Sequence, residues 1–162
     1  MSLETGQYYI TSADSGGFPI GRSSREDRST KPKGIFRLPK GTESVWDVEK
    51  LANGNYTLKN GGAIVGGTAG DGVFAYVIPD QTTGTVTTEW KFIFDDRRAN
   101  EGTAFVITEA PTGRSNGWVT PASDDDESYP GPQVVLRVTI RGPSQPPFYP
   151  ANEVFFFKKV NA

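Results

Sequence analysis

The chain of 162 residues contains no cysteine and no histidine. That excludes disulfides, thiol nucleophiles, histidine-based catalytic triads and the usual Cys/His zinc sites. The side chain that most often changes charge near neutral pH is missing too. Positive charge is not in excess: Lys plus Arg total 17 against 19 Asp plus Glu, a formal net charge of -2. Such a balance gives no basic surface for phosphates, so no nucleic-acid partner is expected. No apolar run approaches the ~20 residues of a membrane-spanning helix, so no membrane partner is expected either. The opening Met1-Ser2-Leu3-Glu4-Thr5 lacks the basic start and apolar core of a signal peptide. With the lack of cysteine, this leads to an expected cytoplasmic location.

What the chain has in quantity is glycine (19), proline (12) and aromatics (3 Trp, 6 Tyr, 10 Phe). The aromatics are too many for a disordered chain, and the glycines and prolines suit short strands joined by many turns. The length suits one domain covering residues 1–162.

The strands repeat. Gly6-Gln7-Tyr8-Tyr9-Ile10, Gly54-Asn55-Tyr56-Thr57-Leu58 and Gly102-Thr103-Ala104-Phe105-Val106-Ile107 begin alike, with their glycines 48 residues apart. Each carries an aromatic and an aliphatic residue two apart, on one face of a strand. Trp46-Asp47-Val48, Trp90-Lys91-Phe92 and Phe155-Phe156-Phe157 close the three copies in the same way. The units run over about residues 1–50, 51–98 and 99–162. Residues 72–78 and 134–140 are β-branched and aromatic-rich strand candidates, and 18–23, 34–38 and 117–120 are shorter ones. Residues 44–51 also partly match a helical face, with Ser44 as N-cap, but the corresponding places in the other units read as strand. The glycine-rich residues 61–70 read as turns; they lack the Gly-Lys-Ser/Thr ending of a phosphate loop.

Three units of four short antiparallel strands suit a β-trefoil: a closed six-stranded barrel with a hairpin cap. The repeat alone fits a small propeller as well. The paired aromatics are core candidates in either case.

Three stretches carry a resemblance. They are Ile20-Gly21-Arg22 with Glu26-Asp27-Arg28-Ser29 and Pro32-Lys33; Val48-Glu49-Lys50-Leu51 with Gly54-Asn55-Tyr56-Thr57-Leu58; and Gly142-Pro143-Ser144-Gln145-Pro146-Pro147-Phe148-Tyr149-Pro150 with Glu153-Val154-Phe155. Together, and in this order, they resemble the β-trefoil serine protease inhibitors of mushrooms, the cospin-like family. The resemblance implies an all-β trefoil that is no enzyme and needs no cofactor. It also implies a trypsin-like protease as partner, met by an Arg on the loop between the second and third strands. A monomer is expected. Thr30-Lys31 and the long segment 116–131 depart from the family pattern.

On this reading the loop lies within residues 24–33, and its candidate cations, stems included, are Arg22, Arg25, Arg28, Lys31 and Lys33. Arg28 is the expected P1 residue, the one whose side chain enters the protease, because it lies mid-loop and a small Ser29 follows. Arg25 is the runner-up, since Glu26 after it puts a charge beside the catalytic centre. Glu26 and Asp27 are expected to accept hydrogen bonds from loop backbone or from Arg25. Pro32 is expected to stiffen the loop by locking its φ. Arg25, Glu26, Asp27, Ser29, Thr30 and Pro32 thus form the expected binding loop around Arg28.

Other candidates are less specific. Asp124-Asp125-Asp126-Glu127 is oxygen-rich, but its spacing is not that of a calcium loop, and no metal is expected. Asn53, Asn60, Asn100 and Asn116 lie in turn contexts that an asparaginyl endopeptidase can read. The alternatives within the fold are inhibition of cysteine proteases through other loops, or carbohydrate binding. Against the latter, the chain shows no repeated Gln-x-Trp.

Because the chain has no histidine, no side chain of ordinary pKa titrates between pH 6 and 8. Any change of protease binding in that window is expected to follow the protease. An intrinsic fluorescence or melting transition of the free chain there would contradict this.

Overall fold

The computed structural model describes residues 2–14, 17–110, 116–121, 131–140, 142, 144 and 147–161. Twelve strands follow one another: β1 (Gly6–Ser12), β2 (Ile20–Arg22), β3 (Lys33–Arg37), β4 (Val45–Lys50), β5 (Tyr56–Asn60), β6 (Ala63–Gly67), β7 (Val73–Tyr76), β8 (Trp90–Phe94), β9 (Ala104–Glu109), β10 (Asn116–Val119), β11 (Val135–Val138) and β12 (Phe155–Lys159). The outer strands of each unit pair in a ring. β1 joins β4, β4 joins β5, β5 joins β8, β8 joins β9, β9 joins β12, and β12 returns to β1, all antiparallel. That ring is a closed six-stranded barrel, which leaves no free sheet edge among its members. The inner strands form three hairpins, β2–β3, β6–β7 and β10–β11. This is the β-trefoil expected from the repeat.

The hairpins meet as a triangular cap. Lys33 and Gly34 of β3 pair with Ala75 and Phe74 of β7. Gly72 bridges Val135, and Phe36 bridges Gln133. Ile35, Val73 and Val134 lie between these pairings and are fully buried. The Val73 amide donates to the Val134 carbonyl at 2.8 Å, and the Val134 amide to Ile35 at 2.8 Å.

The cap and barrel share one aromatic centre. Trp118 of β10 lies 5.7 Å from Trp46, 5.5 Å from Trp90 and 5.9 Å from Phe155, ring centre to ring centre. Those three rings begin the hydrophobic faces of β4, β8 and β12, the places where the three sequence units close. The indoles of Trp46 and Trp90 donate to the carbonyls of Ile20 (2.9 Å) and Val65 (3.1 Å) in the cap strands. In the third unit the bulk is exchanged: the barrel position holds Phe155 and the cap strand holds Trp118. Among the described residues, the Trp118 indole N–H has no hydrogen-bond partner. Leaving such a donor unpaired costs about 1–3 kcal/mol. Burying a ring of this size is worth about 4–6 kcal/mol, so packing decides the residue.

Residues 44–51 resolve as strand. β4 buries Trp46 and Val48 and exposes the residues between, a period of two rather than 3.6. The glycine-rich stretch differs from expectation, because Ala63–Gly67 is strand β6 and not turn. Gly61 and Gly62 do form the β5–β6 turn, with φ of 59° and 80°. Such positive values at both central residues suit the tight hairpin. Gly66, however, is glycine for space: a Cβ there would lie 2.5 Å from the Thr87 carbonyl oxygen. Turn glycine and close-approach glycine look the same in a sequence.

A polar residue ends the first strand of each unit: Ser12, Asn60 and Glu109, all buried. Asn60 donates to Ser44 Oγ and the Val45 carbonyl, and Glu109 accepts from Asn116. β9 is buried on both faces. Its outer residues Ala104 and Val106 are covered by Tyr149 and Val154, so the described part of the proline-rich segment is a packed connection.

Trp118→Ala is expected to cost about 3–5 kcal/mol in denaturant unfolding. A loss below about 0.5 kcal/mol, within the range of ordinary surface changes, would show that the aromatic centre is not what holds cap to barrel.

Candidate functional site

The loop of residues 23–32 joins the two strands of the first hairpin, between Arg22 and Lys33. Both of these stem cations turn out to serve the loop's own framework. Arg22 donates from Nε to Glu26 Oε2 at 2.9 Å and from Nη2 to Glu26 Oε1 at 2.8 Å. This two-pronged, half-buried pair fixes the first half of the loop to the stem. The Glu26 bond also raises the Arg22 pKa above its usual value. The other side of Arg22 rests on the β5–β6 turn. Its amide donates to Asn60 Oδ1 at 3.0 Å, and Nη1 donates to the carbonyls of Asn60 (3.3 Å) and Gly61 (3.4 Å). A Cβ on Gly61 would lie 2.8 Å from Nη1.

Lys33 is buried at the other stem. Its Nζ donates to the Asp27 carbonyl at 3.2 Å, to Asp27 Oδ1 at 2.5 Å and to Ser29 Oγ at 3.3 Å. The same Asp27 oxygen accepts from the Ser29 amide at 3.0 Å and the Ser29 hydroxyl at 2.6 Å. Asp27 is largely exposed, yet its carboxyl is held well below the usual aspartate range. The Lys33 hydrogen bond is the main cause, followed by the two from Ser29. A third tether arrives from the second unit. Gln81 donates from Nε2 to the Thr30 carbonyl at 2.5 Å while its Oε1 accepts from the Ile78 amide at 3.2 Å. Pro32, half-buried, leads into β3.

Of the five candidate cations, Arg22 and Lys33 are thereby committed to holding the loop. Arg25, Arg28 and Lys31 are exposed. Arg28 stands at the bend between Asp27 and Ser29, and its side chain enters none of the loop's hydrogen bonds or ion pairs among the described residues. Glu26 accepts from Arg22, four residues before it, through both carboxylate oxygens, a partner the sequence reading did not name for it. The Arg25 amide donates to Ser23 Oγ at 3.0 Å. Asp27 does accept from loop backbone, as expected. Asn60, Gly61 and Gln81 carried no local signal, since they reach the loop from 38 to 51 positions away. The acidic run 124–127 lies outside the described residues.

A long, uncommitted cation on a short loop tied down on both sides is what a rigid recognition element needs, because little entropy remains to be lost on docking. Comparison with known proteins sets the chain as a whole beside protease inhibitors. The model of the peptidase inhibitor I66 family matches residues 1–159. A curated serine protease inhibitor of Lentinula edodes is 34% identical over 162 residues, covering 98% of this chain and 99% of that protein. The solved structure of a proteinase inhibitor from Coprinopsis cinerea superposes with a TM-score of 0.80 at 32% identity, over 98% of this chain and 100% of the other. The Rhizoctonia solani agglutinin superposes at 0.61 with 16% identity, over 99% of each chain, a likeness of fold alone.

The lowered pKa of Asp27 sets the sign of a pH effect. A carboxylate depressed by folding contributes fully above the unfolded aspartate value of about 3.9 and loses that contribution as pH falls through its lowered folded value. Acidification from pH 7 to 5 should therefore leave the contacts of Asp27 with Lys33 and Ser29 intact. Carboxyl-carbon NMR should titrate Asp27 well below pH 3.9 in the wild type and nearer that value in Lys33→Met. An ordinary midpoint in the wild type would show that Lys33 does not hold it.

Proposed function

Since the chain belongs to the peptidase inhibitor I66 family, we propose that it blocks trypsin-like serine proteases by seating Arg28 in the pocket that receives the residue before the cut bond. Membership sets the chain among protein inhibitors and not among enzymes, and the serine protease class follows its similar relatives. The observation that carries the finer reading is the exposed Arg28, uncommitted among the described residues, between two residues that share one buried ammonium.

The chemistry is that of a substrate held still. A trypsin-like pocket has an aspartate at its base, and an arginine fork meets a carboxylate through two parallel hydrogen bonds. Ser29, small, follows Arg28 without crowding the attacking groups. Arg25 is less suited, because the next residue, Glu26, is tied back to the stem by Arg22. Lys31 is followed by Pro32, whose ring fixes the backbone φ there and which has no N–H to offer. Anchoring by Arg22, Lys33 and Gln81 limits the entropy lost on association. Interfaces of this kind bury about 1,600 Å² and include the tightest complexes known. The expected complex has one inhibitor chain per protease.

Titration of trypsin with the wild type should remove activity stoichiometrically. Arg28→Ala should weaken inhibition by about 100-fold or more, which corresponds to about 2.7 kcal/mol, with an unchanged melting temperature. Pro32→Gly should weaken it less. Undiminished inhibition by Arg28→Ala would move the site to Arg25 or Lys31.

A further inference from the structure

We infer that Lys33 and Asp27 form a clasp across the Arg28–Ser29 bond, which keeps the two cut ends together so that the protease can remake the bond. The inference rests on the reading of Arg28 given above. Its basis is a coincidence of partners. Lys33 Nζ bonds Asp27, on the N-terminal side of the bond, through both the carbonyl and Oδ1, and bonds Ser29, on the C-terminal side, through Oγ. Asp27 Oδ1 accepts from the Ser29 amide nitrogen, which is the atom that leaves when the bond is cut.

The clasp is itself anchored. Lys33 opens β3, pairs with Ala75 of β7 and is buried, so it does not swing away with the loop. The remoter tethers agree with it: Glu26 is fixed to Arg22 before the bond, and Thr30 to Gln81 after it.

The steps balance. The protease serine oxygen adds to the Arg28 carbonyl carbon. The bond to the Ser29 nitrogen then breaks, and the protease's general acid gives that nitrogen a proton. The products are an ester on the protease and an amine. In a flexible substrate the amine leaves and water takes its place. Here the amine stays beside Asp27 Oδ1, with its own hydroxyl on the same carboxylate and on Lys33. It attacks the ester carbon, returns a proton to the general base and releases the serine hydroxyl. Holding the nucleophile in place makes this return effectively unimolecular, and that is the advantage over water. When water does intervene, the Arg28 carboxylate and the Ser29 ammonium remain on opposite sides of one clasp.

The test follows intact and cut chains by mass spectrometry during exposure to catalytic trypsin, starting from each form. Wild type should reach one plateau from both directions, with intact chain persisting. Lys33→Met should settle with at least tenfold less intact chain, and Lys33→Arg should fall between. Asp27→Ala, an exposed change that leaves the core untouched, should behave like Lys33→Met. Equal plateaus in wild type, Lys33→Met and Asp27→Ala would overturn the clasp. So would a wild type that drains wholly to cut chain or is never cut after Arg28. Amide hydrogen exchange of Ser29 without protease gives a separate reading. It should quicken about tenfold in Lys33→Met, and unchanged exchange would overturn the clasp whatever trypsin does. Inhibition that survives Arg28→Ala would instead remove the reading on which the clasp rests.

Discussion

The buried indole of Trp118 is, among the described residues, the one ring that touches the closing aromatic of every unit of the barrel. Three strands bring large rings to the axis, Trp46, Trp90 and Phe155, and the one indole of Trp118 packs against all three, where the other units place Ile20 and Val65. The threefold pattern is thus broken at its centre by one oversized residue from the third unit. Its N–H, without a partner among the described residues, is tolerated because burying the ring is worth more than the lost hydrogen bond. From this centre the cap inherits its rigidity. Ile35, Val73 and Val134 close over it, and the first hairpin leaves the cap with its stem already oriented.

The loop on that stem is held without cross-links. A chain with no cysteine has no disulfide to limit a loop, so the constraint is distributed over polar contacts from three places. Exposed ion pairs are ordinarily worth little. This network differs because its cations, Arg22 and Lys33, are drawn out of solvent and each satisfies several acceptors at once. Asn60 links the loop to the β5–β6 turn, and Gln81 links it to the segment before β8. The first unit therefore displays the loop, and the second unit steadies it.

Much of the architecture was legible because burial in a barrel imposes a period of two. The aromatic and aliphatic pairs of β1, β5 and β9 recur at the same spacing, as do the closing pairs of β4, β8 and β12. Strand β6 was hidden because glycine is ambiguous. Gly61 and Gly62 turn the chain, whereas Gly66 sits in a strand under the Thr87 backbone, and only the neighbour tells them apart. The helical alternative for residues 44–51 fell to the ring closure: Trp46 must pair with both Tyr8 and Asn60.

By itself, the order of residues determined the threefold β architecture and a loop rich in cations, and its motifs pointed to an inhibitor family. Those properties depend on local alternation and on residue types at fixed spacings. The division of labour among the cations was decided only by tertiary structure. Arg22, Arg25, Arg28, Lys31 and Lys33 are chemically alike in one dimension. What separates them is which lies within reach of Glu26, of Asp27 and Ser29, or of the Asn60–Gly61 turn 38 residues on. A charge is committed or left exposed according to the acceptors that folding brings to it, and those acceptors come mostly from elsewhere in the chain.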